Sequence, residues 1–287
     1  ILLLVLLVNI SAQTKLPPNV LYYGDFAQPE TLDPFTASKD VELRLSHLLF
    51  DSLVIEDIEG NFIFSLAREV DISPDGRAYT FVLRKNIYWE DGTPLTARDV
   101  EFTLQVLRNP QTTNYSFTLA KFVEDVTFIS PLSLTISLVR PFYRPLSLFS
   151  FKILPKHKFT TDYLNAAHPF TQKPLGCGPF KYLDGLGTNT ITFVRNEYFK
   201  YRRKPFLEKI VVKIYSDKNQ AYEDLAQGNL HLVPEFFTMP KSDKLAIIAY
   251  KTRNIHFIAF NYSSTHRYRE LFQDYRFRRA LLQAIDR

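Results

Sequence analysis

Tyr79-Thr80-Phe81-Val82-Leu83-Arg84-Lys85-Asn86-Ile87-Tyr88-Trp89-Glu90-Asp91-Gly92-Thr93-Pro94-Leu95-Thr96-Ala97-Arg98-Asp99-Val100-Glu101-Phe102 spells a strand, a turn and a helix in one run. Tyr79, Phe81 and Leu83 alternate with Thr80, Val82 and Arg84, the period of a half-buried strand. Asp91-Gly92 marks the turn, because glycine accepts positive φ without steric cost. Thr96 stands where an N-cap belongs, its hydroxyl placed to accept a free amide of the first turn. Asp99 follows at the positive end of the helix. Val100, Leu104 and Leu107 make an apolar stripe at helical spacing, and Pro110 stops the helix. Trp89, the single tryptophan, reads as a packing residue beside the turn.

Working outward, 287 residues are comfortable for two domains. A hydrophobic content of 46% with 23% charged residues is that of a globular protein. Glycine is scarce and aromatics are abundant, which suits strands and aromatic-lined surfaces better than glycine-built phosphate loops. The net charge of +5 comes with basic clusters at Tyr201-Arg202-Arg203-Lys204 and Tyr275-Arg276-Phe277-Arg278-Arg279. Acids interleave with both (Glu197, Glu208, Asp274, Asp286), so these are solvated faces and no nucleic-acid partner is expected.

Enzyme motifs are missing. Gly185-Leu186-Gly187 lacks the rest of a phosphate loop, no Gly-x-Ser-x-Gly elbow occurs, and the six histidines show no zinc spacing. Cys177, the single cysteine, rules out an internal disulfide and reads as a small buried side chain between Gly176 and Gly178. No cofactor or metal is expected, and no enzyme activity.

The chain opens Ile1-Leu2-Leu3-Leu4-Val5-Leu6-Leu7-Val8-Asn9-Ile10-Ser11-Ala12-Gln13. The apolar run is too short to span a bilayer, which needs ~20 residues. It fits the core of a signal peptide with cleavage after Ala12; a buried strand is the alternative reading. No cysteine lies near that point, so a lipoprotein is not indicated.

The run Phe81 to Gln105 resembles the signature of the family 5 extracellular solute-binding proteins, the oligopeptide-, dipeptide- and nickel-binding components of ABC importers. Further blocks resemble that family in the same order: Pro29-Glu30-Thr31-Leu32-Asp33-Pro34, Phe50-Asp51-Ser52-Leu53-Val54, Leu154-Pro155-Lys156-His157, Pro174-Leu175-Gly176-Cys177-Gly178-Pro179-Phe180, Arg195-Asn196-Glu197-Tyr198-Phe199, and Phe272 to Leu281 with Ala284-Ile285-Asp286-Arg287. Gly228-Asn229-Leu230-His231 departs from the family's Gly-Glu-Ile-Asp, which puts the local hydrogen bonding there in doubt.

The resemblance implies an α/β fold of the periplasmic binding protein type (type II, Venus-flytrap), with only the first lobe and an inserted domain in this chain. Residues 1–12 would be the signal-peptide remnant, 13–51 with 150–253 lobe I, 52–149 the inserted α/β domain, and 254–287 the hinge strand and start of a second lobe. It further implies an extended peptide as ligand, membrane permease subunits as partners, a monomer, and the periplasm as location. By position, the cleft-facing candidates are Thr36, Ser38 and Asp40 after Asp33-Pro34, then Tyr115, and Phe236, Phe237, Thr238 and Met239. Nickel, haem, sugar or opine cargo stays open, as does an adhesin or receptor on the same fold.

The leader reading is tested by amino-terminal sequencing of the exported protein. Gln13, or a residue within a few positions of it, is expected at the terminus; a retained Ile1 overturns it.

Overall fold

The computed structural model describes residues 3–9, 16–57, 59–112, 121–234, 245–251, 259–263 and 265–284. They fall into two bodies, Val5–Ala249 and a smaller one made of Ile1–Leu4 with Tyr250–Arg287. In chain order the elements are β1 (Leu3–Asn9), β2 (Val20–Asp25), α1 (Asp40–Leu49), β3 (Val54–Glu56), β4 (Phe62–Phe64), β5 (Ala67–Ile72), β6 (Ala78–Leu83), α2 (Ala97–Arg108), β7 (Val123–Ser130) and β8 (Ser133–Leu138). They continue with β9 (Phe180–Asp184), β10 (Thr190–Arg195), β11 (Lys209–Ile214), α3 (Lys218–Ala226), β12 (Leu232–Val233), β13 (Leu245–Lys251), α4 (Arg269–Gln273) and α5 (Tyr275–Ala284).

The main sheet of the larger body runs β1-β12-β2-β11-β10-β9. β2 lies parallel to β11 and β12, whereas β9 and β10 fold back as a hairpin beside β11. The run read as a leader forms β1, paired antiparallel with β12 through Leu7↔Val233 and Val8↔Leu232. That pairing describes the run as it stands in the chain; removal of it is a processing event that sequencing decides. At His231, where the chain departs from the family pattern, the Tyr22 amide donates to Nδ1 at 2.9 Å, and the His231 amide donates back to the Tyr22 carbonyl.

A second sheet, β5-β6-β8-β7, is antiparallel throughout. The alternation read over Tyr79 to Leu83 is what the fold uses. Tyr79, Phe81 and Leu83 are buried with Leu134, Ile136 and Leu138 of β8, and Phe149 closes on Tyr79 and Phe81 with ring centroids 5.0 and 4.8 Å apart. α2 covers the same core with Val100, Leu104 and Leu107.

The cap of α2 is a capping box: the Thr96 side chain faces the Asp99 backbone amide as expected, and the Asp99 carboxylate in return accepts the Thr96 amide (2.8 Å) and lies 3.3 Å from the Thr96 hydroxyl. The other Asp99 oxygen accepts the Lys156 amide at 3.0 Å, and Thr103 Oγ1 accepts from Leu154, so the Leu-Pro-Lys-His segment is fastened along this helix.

In the turn, Gly92 has φ +85 and its amide donates to the Trp89 carbonyl. Trp89 itself is 0% exposed, and its indole N–H has no hydrogen-bond partner among the described residues. Burial of the large ring outweighs that orphaned donor. Trp89→Ala is expected to lower unfolding stability by about 3–5 kcal/mol, the range for truncating a buried aromatic. Chemical denaturation measures it, and a loss below about 1 kcal/mol would show that the ring is not a core residue.

Candidate functional site

Where α1 ends, the chain enters Asp51-Ser52, and much later it returns through Phe151-Lys152-Ile153. The two passages meet in an antiparallel bridge, Ser52↔Lys152, with the Ile153 amide donating to the Asp51 carbonyl. Beside them lies a cavity of about 730 Å³, within the usual size for a small-molecule site. Its walls carry Phe35, Phe50, Phe151 and Phe199, together with His47, Asp51, Lys152, Arg202 and Arg203.

Asp51 is the hub. Its side chain is buried, and it accepts four donors: the Ser52 amide (2.8 Å), the Ser65 hydroxyl (2.7 Å), the Tyr201 hydroxyl (2.8 Å) and, more weakly, the Arg202 guanidinium (3.5 Å). Such a carboxylate has its lone pairs filled by fixed dipoles and keeps its charge, which also acts on Arg202 and Lys152. The Lys152 side chain makes no hydrogen bond or ion pair within 4 Å of its ammonium among the described residues. Burial of its ammonium pushes its pKa down, with Asp51 opposing and Arg202 adding to the depression. The Lys152 charge, followed by burial, lowers the His47 pKa to about 4, against a smaller opposing pull from Asp51. His47 is therefore neutral at pH 7.

That depression has a sign. Between its ordinary 6.5 and about 4, the unfolded chain binds a proton at His47 that the folded chain refuses. His47 thus makes folding less favourable as pH falls through this window. Its ring opens to the cavity, so solvent screens the effect.

Cys177 lies behind the Asp51 hub, fully buried, and burial pushes its thiol far above the ordinary range. It is a packing residue, not a nucleophile, because only the thiolate attacks. Among the described residues, no group of three or more metal-ligating side chains comes together.

The residues chosen from sequence are scattered by comparison. The Asp33 carboxylate accepts from the Phe35 amide (3.0 Å), the Thr36 amide (3.3 Å) and the Thr36 hydroxyl (2.6 Å). Thr36 is buried, and its hydroxyl serves that turn. Ser38 and Asp40 are exposed around the start of α1, where the Glu42 carboxylate accepts the Ser38 amide at 2.8 Å. Pro34 and Phe35 of the same loop reach the cavity wall instead. Tyr115 and Phe236, Phe237, Thr238 and Met239 lie outside the described residues. Lys152 was missed because nothing local distinguishes it; Arg202 and Arg203 were seen only as a basic cluster.

Residues 61–287 match the family described as bacterial extracellular solute-binding proteins, family 5 Middle. The chain belongs to this family. Among curated relatives it is 28% identical over 282 residues to the oligopeptide-binding protein AppA of Bacillus subtilis, covering 93% of this chain and 50% of AppA. Among solved structures it resembles NikZ from Campylobacter jejuni in complex with Ni(L-His), with a TM-score of 0.68 and 26% identity over 75% of this chain and 43% of NikZ. It also resembles AgaA from A. tumefaciens in complex with agropinic acid, with a TM-score of 0.66 and 25% identity over 74% of this chain and 43% of AgaA. This family 5 chain has the mixed α/β periplasmic binding protein fold, and it spans about half the length of the curated relatives it matches.

Replacing Lys152 by Met removes the charge that acts most on His47. In that variant the His47 pKa is expected to rise from about 4 toward 6.5, read by NMR titration of the histidine ring. A rise of less than about half a unit would show that Lys152 is not what holds His47 neutral.

Proposed function

We propose that this family 5 chain is the substrate-binding component of an ABC importer that captures peptides outside the cytoplasmic membrane and hands them to permease subunits. The observation that carries the reading is its likeness, across nearly the whole chain, to a relative named for oligopeptide binding. A dipeptide-binding relative, DppE of Bacillus subtilis, points the same way at 23% identity over 93% of this chain. The protein is exported and works as a monomer without catalysis. Extended peptides suit such a binder, because backbone hydrogen bonds give affinity while tolerating varied side chains.

The arrangement of domains belongs to the same proposal. Residues 13–51 and 150–253 make a first lobe, 52–149 an inserted domain, and 254–287 the hinge strand and the start of a second lobe. Two features support this. The antiparallel sheet of β5 to β8 lies wholly within 52–149, and the bridge Ser52↔Lys152 ties together the two crossings at its limits. Ser38 and Asp40 then contribute to one wall of a cleft whose other wall is the second lobe; Tyr115 and Phe236 to Met239, outside the described residues, are assigned to it by the resemblance alone. A small non-peptide cargo is the second reading, favoured by the likeness to NikZ and AgaA.

Closure on a ligand needs two walls. A single wall keeps part of the contacts while the ligand still loses translational and rotational freedom, about 4–15 kcal/mol. Titration calorimetry with a pool of tri- to pentapeptides tests the reading. The natural full-length product is expected to bind at micromolar or tighter, roughly −8 kcal/mol, and residues 13–287 far more weakly. A full-length product that takes nickel–histidine or an opine and no peptide overturns the peptide reading. Micromolar peptide binding by residues 13–287 alone overturns the two-walled cleft.

A further inference from the structure

The cavity beside the Ser52↔Lys152 bridge has a charge balance that the solute-binding reading does not use. Its two carboxylates are already committed. Asp51 is held by Ser52, Ser65 and Tyr201, and Glu56 accepts from the Arg144 guanidinium at 2.6 Å. Of the cations, Arg202 leans on Asp51 at 3.5 Å and on the Ser65 hydroxyl at 3.3 Å. The Lys152 side chain makes no hydrogen bond or ion pair within 4 Å among the described residues, although Asp51 attracts its charge from farther off. Arg203 stands exposed at the same rim and also makes no ion pair with a described residue. Lys152 and Arg203 are therefore the cations without a close ion pair around a space whose lining includes edges of the largely buried Phe35, Phe50, Phe151 and Phe199.

An ammonium drawn out of water is costly, and the cost is relieved either by release of its proton or by a counter-anion brought beside it. A free ion would leave the aromatic walls unused. A ligand with an apolar body and one anionic end satisfies both surfaces.

We propose that this cavity is a binding site for an organic carboxylate with an apolar body, its carboxylate held between Lys152 and Arg203 and its body seated against Phe35, Phe151 and Phe199. Lys152 supplies a compact charge on the inner wall, and Arg203 a planar donor pair at the rim that matches a carboxylate. The bridge to Ser52 fixes the Lys152 backbone, so that little ordering is needed when the ligand arrives. The site does not require the transported cargo to be a peptide. The carboxylate can belong to the carboxyl terminus of a peptide or to a free acid.

The experiment uses the 287-residue chain and titrates N-acetylphenylalanine against its neutral amide, followed by NMR shifts. The acid is expected to bind on the order of millimolar or tighter, and the amide about ten-fold more weakly, the loss expected when a charge-assisted pair is removed. Lys152→Gln is expected to weaken the acid by about ten-fold and to leave the amide unchanged. Because that variant alters the inner wall, Arg203→Gln, at an exposed position, is run beside it, with a several-fold loss expected. Equal binding of acid and amide, no binding of the acid, or wild-type affinity for the acid in Arg203→Gln overturns the proposal. Inorganic phosphate is the control for a bare anion hole: binding as tight as that of N-acetylphenylalanine overturns the apolar half of the assignment. A chain that takes the acid while its full-length form takes no peptide keeps this site and loses the peptide reading. A full-length form that takes peptides, beside a chain that treats acid and amide alike, does the reverse.

Discussion

The Gly178 amide donates to the carbonyl of Leu49 at 2.7 Å, and at this contact the larger body is pinned together. The Gly176-Cys177-Gly178 strap lies so close to the end of α1 that a Cβ on Gly176 would stand 1.8 Å from the Leu49 oxygen, and one on Gly178 2.6 Å from the Leu49 carbonyl carbon. Only the absence of a side chain permits this approach, and neither glycine has a positive φ, so the requirement is space and not dihedral freedom. From the strap, contacts run in two directions. The Glu90 amide donates to the Gly176 carbonyl, holding the turn that carries Trp89. The buried Asn196 donates from Nδ2 to the Gly178 carbonyl and from its amide to Pro179, holding the end of β10. Helix, turn and main sheet are thus keyed to one three-residue segment.

That geometry also sets the electrostatics. With α1 stopped at Leu49, Asp51 is delivered into the interior, where Cys177 from the strap and Tyr201 from beyond β10 close over it. A buried carboxylate is tolerated only when its lone pairs are filled, and Asp51 fills them with hydroxyls and an amide before any cation arrives. The charge of Lys152 is met by Asp51 only from a distance and also acts on His47, whose pKa it lowers to about 4. A fully matched ion pair there would have produced a quiet core. The mismatch is what makes the cavity chemically distinctive.

Glu90 follows the same logic at the other face of the strap. It accepts the Gly176 amide at 3.3 Å, and burial raises its pKa to about 7. Its proton is held in the folded state from its ordinary 4.5 up to about 7, so this group favours folding at lower pH and loses that contribution as pH rises through 7. Glu90 and His47 pull stability in opposite directions across the same acidic range.

The sequence by itself determined the local elements and the family. The strand at Tyr79, the turn at Gly92, the helix after Thr96, the helix from Asp40 and the hairpin around Ser130-Pro131 were legible, because alternation, turn chemistry and helical spacing are written in neighbouring residues. The burial of Cys177 was legible from its two flanking glycines, and that of Trp89 from its place beside the turn in the family block. The second bond of Asp99 was not, because its donor, the Lys156 amide, comes from a segment more than fifty residues away. The burial of Thr36 was not, because its acceptor, Asp33, becomes demanding only once it is desolvated. Only the tertiary structure decided the cavity. Asp51, Lys152 and Arg202 carry no shared pattern in the chain. Their joint charge balance exists only after folding brings them to one wall and removes the water that would have screened them.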